Sequence, residues 1–334
     1  MVDLHADSLL WGRDLLVRGS QGHVDVPRLV EGRVALQAFA ACPKVPRNLN
    51  LHRNDGRSDD VLLLGLASGW PPSALTSLVG RTLHFAARLD RFAARSAGRL
   101  TVIRTAAELA AHLERRRADP TLTAGLLTIE GAHALDGDPA NLDRIVDAGY
   151  RMIGLAHFFD NEFAGSAHGV DKGGLTALGR ELVGLMEDRA VLVDVAHASE
   201  RTIEDVLAIA RRPVVVSHTG VRGIADNIRN LTDEQLRGIA ATGGLVGIGF
   251  WPTASGGDDA ASIARAIAHA VKIAGVQHVA LGSDFDGGVP VPFDASGLPL
   301  LTEALLAEGL ASEAIAMVMG GNALRLLART LPAS

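Results

Sequence analysis

The chain has 334 residues, 48% hydrophobic and 21% charged, and its 32 Lys and Arg against 38 Asp and Glu leave a formal net charge of −6. That balance suits a large enclosed core and argues against disorder, and with no stripe of Lys or Arg it excludes nucleic acid as a partner. Cys42 is the one cysteine, so no intrachain disulfide forms and a reducing, cytoplasmic setting is expected.

The opening "MVDLHAD" carries two acids and a histidine where a secretory leader has a basic start and an apolar core. No apolar stretch approaches the ~20 residues of a membrane helix, so neither a leader nor a membrane partner is expected. Short apolar runs follow one another along the chain: "VDLHAD" (2–7), "VALQAFAA" (34–41), "GLLTIEG" (125–131), "RMIGLAH" (151–157), "AVLVDVAH" (190–197), "PVVVSHTG" (213–220), "GLVGIGF" (244–250) and "HVALGSDFDG" (278–287). Such runs, apolar on both faces, mark the strands of a parallel sheet covered by helices.

Between them lie helical patterns. "SERTIEDVLAIARR" has Ser199 as N-cap and is stopped by Pro213, and "TDEQLRGIAATGG" opens on Thr232 or Asp233 and ends on Gly243 and Gly244. "SIARAIAHAVKIAG" and "SEAIAMVMGGNALRLLART" repeat apolar residues at the helical period, with Met317 and Met319 as core filler. Eight strands alternating with helices predict a (β/α)8 barrel filling residues 1–334 as one domain. About 83 residues separate the second and third runs, so the barrel is expected to be distorted. No Gly-rich phosphate fingerprint follows the first strand, which disfavours a dinucleotide fold.

The ends of these runs carry the functional signal. His5 and Asp7, Glu130, His157, His197, His218 and Asp284 close six of the eight. In barrels of this kind the site is built at the C-terminal ends of the strands, and a core has no use for so many converging polar groups. Imidazole and carboxylate donors suit two Zn²⁺ ions, or similar first-row metals, better than Ca²⁺ or Mg²⁺. The expected ligands are His5 and Asp7 on one ion, His197 and His218 on the other, and Glu130 bridging both. Two ions about 3.5–4 Å apart share a water whose pKa falls towards ~7, giving a metal-bridging hydroxide. Asp284 is then the carboxylate that takes the proton of the attacking water and passes it to a leaving amine. His157 is a donor to the developing oxyanion, and Arg229, in "NIRNLTDEQL", offers a planar fork to a substrate carboxylate. The reaction class is metal-assisted hydrolysis of an amide that carries a carboxylate.

The pieces "DLHAD", "IEGAHAL", "IGLAH", "VDVAHAS", "VVVSHTGVRGIADNIRNLTDE", "GSDFDG" and "GGNALRLL", in this order from residue 2 to about 328, resemble the renal or membrane dipeptidase family of binuclear zinc peptidases. The resemblance implies a distorted (β/α)8 barrel that cleaves dipeptides, often tolerating a D-residue at the C-terminal position, with some members opening β-lactams. It implies the same ligand set with Glu130 bridging, His157 and Arg229 on substrate and Asp284 handling protons. It also places Trp251, in "GFWPTAS", near substrate, and suggests a homodimer by analogy. The segment "ACPKVPRNLNLHRNDGRSDD" (41–60) departs from the relatives; as an active-site loop insertion over the mouth, with Arg47, Asn48 and Arg53, it leaves the substrate open.

Two alternatives compete: an amidohydrolase-type binuclear enzyme acting on a lactam, lactone, N-acyl amino acid or phosphoester, and a non-catalytic binder of a peptide-like metabolite. Many amidohydrolase barrels use a His-x-His pair and a modified Lys bridge, whereas these strand ends offer Asp7 and Glu130. Asp3 shares the strand face of His5 and is a candidate hydrogen-bonding support for it. Asp194 is expected to face the helices, Asp286 shares the face of Asp284, and His23, His52, His84, His112, His133, His168, His269 and His278 are assigned solvated or structural roles.

Overall fold

Parallel strands need crossover connections, usually helices, and those helices cover the sheet; the chain meets this with parallel strands throughout. The computed structural model describes residues 1–333. Its strands are β1 (Val2–Asp3), β2 (Leu36–Ala41), β3 (Leu100–Ile103), β4 (Thr123–Ile129), β5 (Tyr150–Gly154), β6 (Leu192–Asp194), β7 (Val214–Thr219), β8 (Leu245–Ile248) and β9 (Val279–Leu281). They pair in the order β2-β1-β9-β8-β7-β6-β5-β4-β3, and β2 also pairs with β4. Leaving out β3, this closes an eight-stranded parallel (β/α)8 barrel.

The third strand corrects the sequence reading, which passed over "LTVI". It lies inside the long gap, together with helices Asp60–Ala67, Pro72–Thr76, Leu78–Arg95 and Ala106–Ala118. Strand β3 pairs with the first half of β4, from Leu100↔Thr123 to Ile103↔Leu126. Strand β5 takes the second half from Leu127 onward, with a register shift between Leu127 and Thr128. One edge of β4 is thus shared by two partners, which is the distortion anticipated from the spacing.

The strands are also shorter than the apolar runs. The run 2–7 is strand over Val2–Asp3 alone, and Ala6 rejoins the sheet through a single bridge to Phe285. Strands β6 and β9 stop three residues before His197 and Asp284, whose φ values of 61° and 62° cannot continue a strand. His197 and Asp284 therefore sit in turns beyond their strands, whereas His218 still belongs to β7.

Alternation divides the core. One buried cluster gathers Leu36, Ala38, Ala124, Leu126, Met152, Leu192, Val215, Leu245 and Ala280 with Leu326 and Leu327 of the last helix, filling the barrel. The other takes the intervening strand residues, such as Val193, Val216 and Ile248, with helix residues including Phe85, Leu89, Ile203 and Ile267. Close approach matters at Gly282, where a Cβ would lie 2.1 Å from the Ser217 carbonyl oxygen and 2.8 Å from the Cα of His218. Only glycine lets β9 leave the sheet this close to the His218 backbone.

Helix ends follow the sequence signals. Ser199 Oγ accepts from the Thr202 amide at 3.0 Å, and Thr232 with Gln235 forms a complete capping box on Asp233–Ala241. The C-terminal pattern 312–330 is not one continuous helix. It runs as Ser312–Ala316, a wide turn Met317–Gly321 and Asn322–Thr330. The wide turn brings Gly320 against β1, where a Cβ would meet the Val2 amide at 2.9 Å. Met319 is buried and Met317 half-buried. Among the described residues no helix is long and apolar enough to cross a membrane.

The buried Asn322 side chain donates to the carbonyls of Val276 (2.6 Å) and Val279 (2.8 Å), tying the last helix to the start of β9. Asn322→Ala is expected to cost about 1–3 kcal/mol, because two buried acceptors lose their donor. A urea midpoint indistinguishable from that of the parent would refute this.

Candidate metal centre and active site

The six strand ends selected from the sequence meet above the barrel, and Glu130 is their hub. It follows β4 directly, so its side chain is aimed by the last residue of the ladder. Its Oε1 lies 3.0 Å from His197 Nε2, 3.4 Å from His218 Nε2 and 3.6 Å from His5 Nε2. Its Oε2 lies 3.2 Å from His157 Nε2. His197 and His218 face each other with Nε2 atoms 2.9 Å apart. On the other side, His5 Nε2 is 3.4 Å from Asp7 Oδ2 and 3.9 Å from Asp284 Oδ1. All seven side chains are buried.

These atoms fit divalent ions. His5 with Asp7 and Asp284, and His5 with Glu130 and His218, form two trios whose ligand atoms lie within 4.8 Å of one another. Asp7 Oδ1 is buried with no hydrogen-bond partner, a costly state for a carboxylate unless a cation takes it up. The donor set of imidazole and carboxylate is that of a first-row metal.

Electrostatics point the same way. Burial, reinforced by Asp7, holds the Glu130 carboxyl well above its usual range. Burial likewise lifts Asp284, with His5 opposing and Asp7 adding, to about 7. Burial alone would lower His5, but Asp7 and Glu130 outweigh it and raise its pKa to about 10. His157, His197 and His218 are pushed well below the ordinary imidazole value by burial, with the last two further lowered by Arg229. Without cations the cluster keeps its carboxylates by retaining protons, and cations replace them.

Arg229 is buried and makes no surface ion pair. Its guanidinium donates to the His218 carbonyl at 2.7 Å and lies 5.5 Å from the centroid of the Trp251 ring. Among the described residues no carboxylate oxygen lies within 4.0 Å of it, and burial lowers its pKa to about 10 despite Asp284 and Glu130. Trp251 in turn lies 5.9 Å from the His218 ring, so it borders the centre as the sequence reading placed it.

The supporting acids are arranged differently from expectation. Asp3 does not reach His5; it accepts from the Ser283 amide (2.8 Å), the Ser283 hydroxyl (2.7 Å) and Gln37 (2.6 Å), and so braces the residue before Asp284. Asp194 does not turn its carboxylate to the helices. It accepts from the amides of Ala196 and Ser217, both at 2.9 Å, and ties the approach to His197 to the residue before His218. Asp286 is consumed by Ser8 (2.6 Å), Arg13 (2.5 Å) and the His23 amide (2.7 Å), leaving Asp284 as the acid of this turn without a hydrogen-bond donor among the described residues. Gly287 passes so close that a Cβ would meet Asp284 at 2.0 Å and Asp7 at 3.0 Å, and beyond it lies a cavity of about 410 Å³ lined by Trp11, Arg13, His23 and Asp286.

Within the segment 41–60, Arg47, Asn48 and Arg53 are exposed, and Arg47 bonds Asp60 at 3.1 Å. The segment approaches the centre by its start instead. Cys42, one residue past β2, is buried with its thiol 3.9 Å from His157 Nδ1 and near Glu130, and burial pushes its pKa well up. The sequence reading missed it as a site residue because the apolar run was closed at Ala41. Of the other histidines, His112, His269 and His278 bond Ala35 O, Asp233 and Gly244 O at 3.0, 2.8 and 2.8 Å. His133 and His168 are instead buried beside His157 and His197.

Comparison with known proteins shows which family the fold belongs to. Residues 1–332 match the family model described as membrane dipeptidase, peptidase family M19. An uncharacterized protein encoded in the pqqA 5′ region of Klebsiella pneumoniae is 36% identical over 255 residues, covering 72% of this chain and 92% of that one. An uncharacterized dipeptidase of Schizosaccharomyces pombe is 35% identical over 217 residues, 61% of this chain, and the match spans about half (52%) of that relative. A crystal structure of a metallopeptidase from Rhodobacter sphaeroides, liganded with a phosphinate mimic of the dipeptide L-Ala-D-Ala, superposes with a TM-score of 0.78 at 27% identity over 98% of both chains.

Because cations bind the folded cluster and not the unfolded chain, chelation is expected to lower the thermal midpoint. At free metal a hundred times Kd the lost stabilisation is about 2.7 kcal/mol. Differential scanning calorimetry before and after chelation, and after adding metal back, reads this; an unchanged midpoint would contradict a metal centre here.

Proposed function

The chain belongs to the membrane dipeptidase family, peptidase family M19, and as a metallo-dipeptidase of that family we propose that it holds two Zn²⁺ ions and hydrolyses small dipeptides, including those with a D-residue at the C-terminal position. The observation that carries the reading is Arg229: a buried guanidinium beside the ligand cluster with no carboxylate partner among the described residues. A dipeptide brings that carboxylate within two residues of its scissile bond, whereas a protein or an uncharged amide does not. The phosphinate mimic of L-Ala-D-Ala held by the Rhodobacter relative supports the tolerance of a D-residue.

In this reading His5 and Asp7 would hold one ion and His197 and His218 the other, with Glu130 available to both. When bound, the ions supply Lewis acidity and lower the pKa of water at the centre. Arg229 takes the substrate carboxylate in a two-point contact, and its face against Trp251 fixes the plane of that fork. His157, a neutral imidazole, donates its Nε2–H to the carbonyl oxygen as negative charge builds on it. Asp284, the acid of its turn without a hydrogen-bond donor among the described residues, accepts the proton of the attacking water at its carboxylate and delivers it to the leaving amine. Its left-handed backbone, like that of His197, is the kind of strain retained where a side chain must be held in one direction.

The two alternatives have less support. The converging groups are imidazoles and carboxylates, with Glu130 where many amidohydrolase barrels use a modified lysine, and an idle binder has no need of Asp284.

Two outcomes are expected. The zinc-loaded protein releases amino acids from some members of a panel of L-Xaa-L-Xaa and L-Xaa-D-Xaa dipeptides, and none from the same peptides amidated at the C-terminus. Asp284→Asn keeps the metal content but lowers kcat by at least ~100-fold, the low end of what a general acid–base group contributes. Equal turnover of amidated and free dipeptides would remove Arg229 from its role, and an active Asp284→Asn would remove Asp284.

A further inference from the structure

An imidazole that binds a cation through Nε2 carries its proton on Nδ1, and that N–H normally has an acceptor that fixes the ring. His218 has a partner at this position, with its Nδ1 2.9 Å from Ser217 Oγ. His197 Nδ1 has none: it is buried and unpartnered. The ring of His168 lies beside it and offers a candidate acceptor.

The tautomer of His168 is dictated by its surroundings. Its Nδ1 lies 2.7 Å from the carbonyl oxygen of Leu51, and a carbonyl only accepts, so Nδ1 carries the hydrogen and Nε2 presents a bare lone pair. That Nε2 is also buried and unpartnered. The rings of His168 and His197 are 5.2 Å apart between centroids. No hydrogen bond joins the two rings as they stand, since both nitrogens are unpartnered, but at 5.2 Å against 4.9 Å for His197 and His218 the rings are close enough for one to form when a ring turns. Phe158 packs against both rings, at 4.7 and 5.2 Å, and covers this contact with an apolar face. Two buried, unpartnered nitrogens of opposite polarity thus lie on neighbouring rings.

We propose that His168 is a positioning residue for His197: when that ligand binds a cation through Nε2, His168 Nε2 turns to accept its Nδ1–H and passes the restraint through its own Nδ1–H to the Leu51 carbonyl. The proposal rests on the reading of His197 as a metal ligand. It gives the segment 41–60 a specific task. Asn54 donates to the His168 carbonyl both from its backbone amide (2.8 Å) and from Nδ2 (3.1 Å), so the segment grips His168 at ring and backbone alike. The loop that departs from the relatives then sets the orientation and basicity of one ligand rather than contacting substrate.

The test is metal affinity, read by competition of the full-length protein with a chromophoric zinc chelator and by the visible spectrum of the Co²⁺-loaded form. His168→Phe keeps an aromatic ring against Phe158 and removes the acceptor; it is expected to weaken one of two metal equivalents by about 10–100-fold and to shift the cobalt bands. His168→Gln keeps both an acceptor and a donor and is expected to stay within about threefold of the parent, a rescue that a purely packing role would not give. Parental affinity and spectrum in His168→Phe, or equal loss in both variants, overturns the proposal. Should His168→Phe fail to fold, His168→Gln decides: parental affinity upholds the proposal and a tenfold loss overturns it. His197→Ala is the control, because two equivalents retained there at parental affinity would reject the ligand reading itself.

Discussion

A carboxylate withdrawn from water and ringed by imidazoles is the constraint around which this molecule is organised. Glu130 is buried, and four histidines place a nitrogen within 3.6 Å of one of its oxygens. An anion in such a place is stable only when positive charge is supplied or a proton retained. The barrel gives it neighbours that accept metal ions, so the electrostatic debt at the middle of the molecule and its chemistry have one solution. The buried cation of Arg229 is the mirror case, a charge with no carboxylate within 4.0 Å among the described residues.

Holding these groups requires more than strand ends. Asp3 fixes Ser283, and Asp194 links the turn before His197 to β7, so the turns that carry Asp284 and His197 are each bonded to a neighbouring strand. The left-handed residues His197 and Asp284 cost on the order of 1–2 kcal/mol each and persist because these bonds over-determine them. Hydrophobic packing builds the frame, and buried polar contacts aim what stands on it.

How much of this could be read from the sequence depends on the range of the interaction concerned. The strand ends were legible because continuous apolar runs locate parallel strands and a polar residue at such a terminus is chemically out of place. Family resemblance and residue chemistry converged on one set, and the fold and family stand as expected. Strand β3 was not legible, since four residues of "LTVI" between two helices look like a helix boundary, and their strand character comes from the free edge of β4. The same holds for His168, which "GSAHGVDKGG" does not distinguish from a loop histidine; its partner Leu51 lies 117 residues away. Asp194 was assigned by strict alternation, which fails where a strand ends and its carboxylate replaces ladder bonds. Cys42 lay one residue beyond a boundary drawn at Ala41.

The closure of the barrel has a consequence in time. Strand β1 pairs with β9, and the same seam brings His5 and Asp7 beside Asp284, from opposite ends of the chain. No partial chain emerging from a ribosome owns this constellation, however well its early helices form. The cluster is therefore complete only where the last strand pairs with the first, so its geometry depends on contact between the two ends of the chain.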